Sequence, residues 1–346
     1  MTAGAAAEAR PDAIQPRPDR RAEPRRRRGW LIVARKELAD HLVSARFVIL
    51  LLVLGAATLV PIYLASDAIR DVASRLTDIR GAFLLLFLLT PSDSPVPNVL
   101  TFVAIVAPLL GVAFAFDAIN SERSDGTLPR LLSQPIYRDD VINGKFAAGL
   151  AVIALVMFAV FAIISGFGLF RLGIVPSADD VVRLLAWYLI TVVWVGLWLA
   201  IGLVLSVSMR RAANAALAGF GLWIAIAIFG RLVVEAIAGV IAPVASAGSL
   251  EEFLGLTGLS ETIQRILPLT LYQEASAVLL RPDVTTVTTP ATIDQYEQLG
   301  QQIQGQYLAF DQSALLIWPH VVALVAMTAV CFAAAYIWFM RQEVRA

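Results

Sequence analysis

Six stretches of this chain, approximately residues 46–66, 98–116, 145–170, 183–209, 212–242 and 314–340, are long and almost wholly apolar. Crossing a hydrocarbon core of ~30 Å as a helix takes about 20 such residues. Inside that core no water can satisfy an open strand edge or a loop, so the backbone must be helical. The pattern predicts an all-α integral membrane protein with six transmembrane helices. Composition agrees: 58% of the 346 residues are apolar and only 16% are charged, against nearer 25% charged in a soluble domain.

The ends of these runs carry helix punctuation. Pro176, Ser177, Asp179 and Asp180 precede the fourth run, where caps and acidic residues suit a helix N-terminus. Arg210 and Arg211 end it, and Arg341 ends the sixth. The apolar run Ala82–Leu89 is too short to cross and is cut off by Pro91, Pro95 and Pro97. It reads as the end of an outer amphipathic helix, Asp67–Thr90, that dips into the outer leaflet, with Asp71 and Arg75 paired at i,i+4.

Formal charge sums to zero, 27 basic against 27 acidic residues, but the two signs are separated along the chain. With the N-terminus inside, the inner segments hold 19 of the Lys and Arg and 12 of the Asp and Glu. The inside is thus about +7 and the outside about −7, which orients both termini toward the cytoplasm and predicts a multi-pass protein of the plasma membrane, a bacterial inner or cell membrane.

Residues 1–29 are rich in Pro and Arg and read as a disordered basic cytoplasmic tail. An export signal is not expected, because Arg35, Lys36, Glu37 and Asp40 separate the basic run from the first apolar one. Residues 30–45 are amphipathic, with Trp30, Leu31, Val33, Ala34, Leu38 and Leu42 alternating with charges. They predict an interfacial helix just before the first span.

Several chemistries are excluded. A single Cys, Cys331, and two His, His41 and His320, leave no metal centre and no disulfide. Gly144-Lys145 lacks the following Ser or Thr and the upstream Gly of a phosphate-binding loop, so no nucleotide or other cofactor is expected on this chain. Neutral charge offers nothing to nucleic acid, and no catalytic residues stand out. Mid-depth acids of the sort that ion-coupled carriers use are also missing. The one conspicuous charged pair in a span, Arg231 and Glu235 near the outer end of the fifth, reads either as a snorkelling anchor or as a pair lining an outer vestibule.

The inner loop, residues 117–144, is the most informative polar stretch. Asp125-Gly126 signals a turn, Thr127 is placed to cap a new helix, and Pro129 sits in its first turn. Leu128, Leu131 and Leu132 make an apolar edge at i, i+3 and i+4, and Pro135 ends it. A short helix with one apolar edge suits docking into a groove on another protein.

The run Glu122-Arg123, Gly126-Thr127-Leu128, Leu131-Leu132, Pro135, Arg138 and Gly144-Lys145 resembles the first cytoplasmic loop of ABC-2-type transporter permeases. The subgroup of permeases of nitrous-oxide-reductase and multi-copper-enzyme maturation is particularly similar. The likeness extends to Arg35-Lys36-Glu37-Leu38 and to Leu267–Ala275, and covers residues 30–346 as one exporter-type transmembrane domain. It implies a permease subunit that forms a homodimer or a pseudo-symmetric dimer and engages two copies of a separate ATPase subunit, which would hold the ATP and Mg. Glu122–Gln134 would then be the coupling helix, with Glu122, Arg123, Gly126, Thr127, Leu128, Leu131 and Leu132 as its contact residues, and Trp30–Val43 the interfacial connecting helix.

The outer segment 243–313 is long for a connector. Leu250–Leu280 has helical spacing, with Glu251, Glu252, Glu261, Arg265 and Glu274 on the polar side; in similar exporters this region forms re-entrant outer helices. Val284–Pro290 reads as a strand or a loop and Tyr296–Tyr307 as a polar outer helix. A large outer segment suits a periplasmic or extracellular partner, or a lid over the outer mouth. Soft ligands for copper are scattered (Met157, Met209, Met327, Met340), so the residues favour a hydrophobic or lipid-linked cargo over the metal. An ion-coupled carrier or channel, or a non-transporting membrane scaffold, are the other classes such a chain admits.

Overall fold

The structure, a computed structural model, describes residues 29–64, 83–87, 98–127, 137–281 and 308–342. The expectations for the basic tail, for Asp71 with Arg75, for Leu128–Gln134, for Val284–Pro290 and for Tyr296–Tyr307 fall outside those residues. Among the described residues every regular element is a helix. Five helical rods are long and apolar enough to cross a membrane, and a sixth is gained if the bent N-terminal pair is taken as one span.

That pair is α1 (Gly29–Leu42) and α2 (Ala45–Leu64), which meet at 65°. Ser44 makes the corner. Its hydroxyl donates to His41 O at 2.6 Å and accepts from Phe47 N at 3.2 Å, closing one helix and opening the next.

The next span is α3 (Val99–Val106) followed by α4 (Pro108–Ala115). Asn98 caps α3 by accepting from Thr101 N at 2.9 Å. Pro108 has no N–H, so Ala104 O loses its i+4 donor. Two indoles from other spans fill the broken turn: Trp194 Nε1 donates to Ala104 O at 3.2 Å and Trp223 Nε1 to Ile105 O at 2.9 Å. A proline break inside hydrocarbon is tolerated when side chains supply such donors.

A short helix, α5 (Asn120–Ser124), precedes α6 (Arg138–Leu172), which is 35 residues long. Gly173, at φ 71°, ends α6 in the left-handed conformation that glycine takes without penalty. Ser177 then accepts from Asp180 N at 3.2 Å while Asp180 accepts from Ser177 N at 2.9 Å, a capping box that opens α7 (Ala178–Ser208). The expected acidic start of the fourth span is therefore present in atomic detail.

α7 is the axis of the bundle and buries Trp187, Trp194, Val195, Leu197, Trp198 and Leu203. α4 lies so close to it that a Cβ on Gly111 would stand 2.5 Å from Val195 O and 2.6 Å from Leu199 N. Only hydrogen fits between the two backbones.

The predicted fifth span, 212–242, is interrupted: α8 (Ala212–Ile224) continues through a wide π-turn at Ala225–Gly230 into α9 (Arg231–Ile241). Leu217, Leu232 and Val240 on this rod are exposed, as are Leu315 and Val330 on the last helix. The outer segment folds into α10 (Leu250–Gln264) and α11 (Pro268–Leu280), and α12 (Phe310–Arg341) completes the chain. α11 lies against α7 and α12 and buries Leu271, Tyr272, Ala275, Ser276, Val278, Leu279 and Leu280. Trp318 and Trp338 on α12 are both exposed and stand 20 residues apart, about 30 Å along the axis, as an interfacial aromatic at each boundary would.

One expectation differs. Of the run Ala82–Leu89, the described part forms a 3-10 turn, Leu84–Phe87, whose Phe83, Leu84 and Phe87 are buried in protein. Phe87 packs edge-on to Trp187 at 5.3 Å between ring centres and stacks on Phe161 at 6.1 Å. Aromatic contacts on α6 and α7, which sequence spacing could not reveal, cover the apolar side chains that were expected to face lipid.

Candidate functional site

The predicted inner loop leaves the bundle at the end where both described chain ends lie. α5 ends in a Schellman motif: Thr127 N donates to Glu122 O at 2.9 Å and Gly126 N to Arg123 O at 3.3 Å, with Gly126 at φ 68°. Any non-glycine side chain would be strained there. Glu122 and Arg123 therefore sit on a helix before the turn, and Glu122–Gln134 is not one continuous helix. Thr127 turns its hydroxyl back to Glu122 O at 3.2 Å.

Lys145 holds this loop in place. Its ammonium, on a side chain only 5% exposed, lies 2.7 Å from Glu122 Oε1 and 3.0 Å from Glu37 Oε1. One buried cation thus fastens α5 and α1 to the first turns of α6. Glu122 Oε2 is buried and, among the described residues, has no hydrogen-bond partner. α1 reaches the same place by backbone contact. Trp30 N donates to Asp140 Oδ1 at 3.0 Å, and a Cβ on Gly144 would stand 2.6 Å from Val33 Cβ and 2.8 Å from Trp30 O.

Further bonds extend the junction to every neighbouring element. Arg46 grips Asp117 through two bonds of 2.7 and 3.1 Å and donates to Ala113 O at 2.7 Å, binding the α1–α2 corner to the end of α4. Ser206 Oγ on α7 accepts from Ile119 N at 2.9 Å. Gln342 accepts from Arg123, donates to Val207 O at 2.8 Å, and offers its carbonyl to Arg138 at 2.9 Å. Asp117, Ser206 and Gln342 carry no local sequence signal, since their partners are far away in the chain, and Glu37 stood out only within the Arg35–Leu38 likeness. Lys145 and Arg138 stood in the sequence only as members of the loop pattern that resembles ABC-2 permeases, with no sign of what they would bind.

A comparison of the whole sequence with known families identifies the lineage. Residues 31–344 match the family described as ABC-2 family transporter protein. The chain belongs to the ABC-2 transporter family. It is also 28% identical over 154 residues to the probable ABC transporter permease protein NosY of Stutzerimonas stutzeri, an alignment covering 43% of this chain. That alignment spans only 54% of the relative's own length. This ABC-2 permease is thus an integral membrane protein of an ABC transporter family, as the resemblance of its loop implied.

The other expected pair in the permease, Arg231 and Glu235, closes on itself at 2.6 Å on the exposed side of α9, with 78% and 39% of the side chains accessible. A second polar cluster lies toward the opposite end of the permease, where α11 meets α12. Glu274 Oε2 accepts from Arg265 Nε at 2.7 Å and lies 2.7 Å from His320 Nε2. Burial alone would raise the Glu274 carboxyl, but the hydrogen bonds from His320 and Arg265 outweigh it and hold it below the ordinary carboxylate value. Tyr272, one turn away on α11, shares a 2.9 Å hydrogen bond with Thr191, and burial pushes its phenol up to about 12. Sequence reading placed Glu274 on a solvated face; the partner that draws it inward is 46 residues away.

Proposed function

We propose that this chain is the membrane-spanning subunit of an ATP-driven exporter, working as a homodimer or a pseudo-symmetric pair with two copies of a separate ATPase subunit. Its termini and the 117–144 loop face the cytoplasm of a bacterial cell, by the charge separation described above. The observation that carries the reading is Lys145, whose buried ammonium joins the loop bearing Glu122 to α1 and to the transmembrane helix α6. A loop so fastened moves with the helices behind it. Closure of an ATPase pair against the loop would be passed through Lys145 into α6 and through Arg46–Asp117 into α2 and α4.

A hydrophobic or lipid-linked cargo is favoured because the soft ligands that copper would need are scattered along the spans. The outer segment would serve as a lid or as a docking site for a partner outside the cell.

The deciding experiment asks whether an ABC ATPase co-purifies with the chain and measures its ATP hydrolysis in nanodiscs with and without the chain. Wild-type protein is expected to retain the ATPase and to alter its turnover. Glu122→Gln, which removes the charge that faces Lys145 without adding a second cation, is expected to weaken coupling, with thermal unfolding of the same variant separating lost coupling from lost fold. Ion-driven transport by the chain alone would establish a secondary carrier instead.

A further inference from the structure

The last turns of α12 carry a surface cavity of about 400 Å³, lined by Ala334, Ile337, Trp338, Arg341 and, just past the helix, Gln342. These positions recur at i, i+3, i+4, i+7 and i+8, so the lining is one stripe of the helix, apolar along its length and cationic at its end. Ile337 and Trp338 are each 49% exposed. We propose that this cavity holds an anionic phospholipid of the adjoining leaflet, its phosphate on Arg341 and an acyl chain along Ala334, Ile337 and Trp338.

Charge decides the occupant. Gln342 accepts from Arg123, offers its carbonyl to Arg138 at 2.9 Å, and donates to Val207 O at 2.8 Å, three residues before Arg210. Arg210 is close enough for its charge to act on Arg123. Arg138 lies over the Phe339 ring at 5.5 Å, and its Nε is buried with no hydrogen-bond partner. The nearby carboxylates are engaged elsewhere: Glu37 and Glu122 on Lys145, Asp117 on Arg46, and Asp140 on Trp30 N. Among the described residues no carboxylate forms an ion pair with Arg123, Arg138, Arg210 or Arg341. Four guanidiniums thus meet at the boundary of the membrane without a counter-charge, beside an apolar cleft. A phosphate matches the planar fork of an arginine, and basic pockets at the ends of spans take anionic headgroups. A zwitterionic lipid would bring its own ammonium into this field, and a soluble anion would leave the apolar stripe uncovered. Because Gln342 also bonds Arg123 of α5 and Arg138 of α6, the lipid would border the inner loop.

The site needs a bilayer and not an ATPase, so it stands or falls independently of the function proposed above. The test places the full chain in phosphatidylcholine nanodiscs containing a little phosphatidylglycerol with a photoreactive diazirine on its acyl chain, and maps the adducts by peptide mass spectrometry. Adducts are expected to concentrate on residues 334–342 and to be competed by unlabelled phosphatidylglycerol, but not by sn-glycerol 3-phosphate. Arg341→Gln is expected to lower them about fivefold, the weight of one cation against an anionic lipid surface. Ala334→Trp fills the apolar part of the cavity, keeps every charge, and should lower them as much. Both positions are exposed, so neither change disturbs the core. Arg171→Gln, at an exposed arginine on the opposite end of α6, should leave the adducts unchanged. Adducts spread evenly over the lipid-facing helices, equal labelling by a phosphatidylcholine diazirine, competition by glycerol phosphate, or no loss in Arg341→Gln or in Ala334→Trp would each overturn the proposal.

Discussion

Lys145 Nζ stands 2.7 Å from Glu122 Oε1, and the same ammonium reaches Glu37 at 3.0 Å, so a single side chain ties the inner loop and the N-terminal helix to the second long span of the described fold. Removing it leaves two carboxylates of 15% and 19% exposure, of which only Glu37 keeps a cation, the exposed Lys36 at 3.4 Å. Breaking a buried pair from one side typically costs 3–5 kcal/mol, and these groups are not fully buried, so Lys145→Met is expected to destabilise by about 2–4 kcal/mol. Thermal unfolding in nanodiscs would show it. The triple change Lys145→Met, Glu37→Gln, Glu122→Gln should recover much of the loss, and no recovery would mean the carboxylates are not the source of the strain.

Gly144 is a packing requirement of α1 against α6. A Cβ there would meet Val33 Cβ and the Trp30 carbonyl, and the backbone atom cannot swing aside. Gly144→Ala is expected to destabilise by about 1–3 kcal/mol, as overpacking does. Pairing it with Val33→Ala removes only the Val33 Cγ1 contact at 2.8 Å and leaves Val33 Cβ and Trp30 O in the way, so recovery should be small. Full recovery in the double variant would contradict the short approach to Trp30 O.

The indoles of Trp194 and Trp223 hydrogen-bond the carbonyls around the Pro108 break. Phe keeps the ring and removes the donor. Trp223→Phe is expected to cost about 1–2 kcal/mol through the orphaned carbonyl of Ile105. Pro108→Ala restores the backbone N–H for Ala104 O, so in that background Trp194→Phe should do less harm than in the parent. Equal losses in both backgrounds would separate the indole from the break.

Glu274 sets an acid limit. Its folded carboxyl is held below the ordinary value of 4.5 because the bonds from His320 and Arg265 outweigh burial. A group whose folded pKa is depressed contributes stability above its unfolded pKa and loses it as pH falls through the folded value. Stability is thus expected to be steady in this respect above about pH 5 and to fall below pH 4.5, with Glu274→Gln flattening that arm of the curve. An acid arm of the same steepness in Glu274→Gln would assign the loss to other carboxylates.

Much of the architecture was open to reading along the chain because it depends on neighbours in sequence. Ser177 and Asp180 are three residues apart, and the capping box they form needs nothing from elsewhere. Gly126 ends α5 through bonds to Glu122 and Arg123, again within one turn. Long apolar runs must become helices in lipid whatever they pack against. The interruption of the fifth span at Ala225–Gly230 was not legible, since nothing in Ala-Ile-Ala-Ile-Phe-Gly marks a π-turn. Nor was the burial of Phe87, whose partners Phe161 and Trp187 lie on other spans.

By itself, then, the sequence determined that this chain is a helical membrane protein with a structured loop between its second and third apolar runs, and the loop's residues pointed to the ABC-2 family that the whole-chain match establishes. Tertiary structure alone decided which charges do something together. Glu37, Glu122 and Lys145 are ordinary polar residues until three helix ends converge, and Glu274 and His320 read as a solvated acid and a lone histidine until α11 folds back onto α12. The physical reason is one of range. Helix formation and capping act over three or four residues, whereas a buried ion pair exists only where folding brings distant side chains into a space that excludes water.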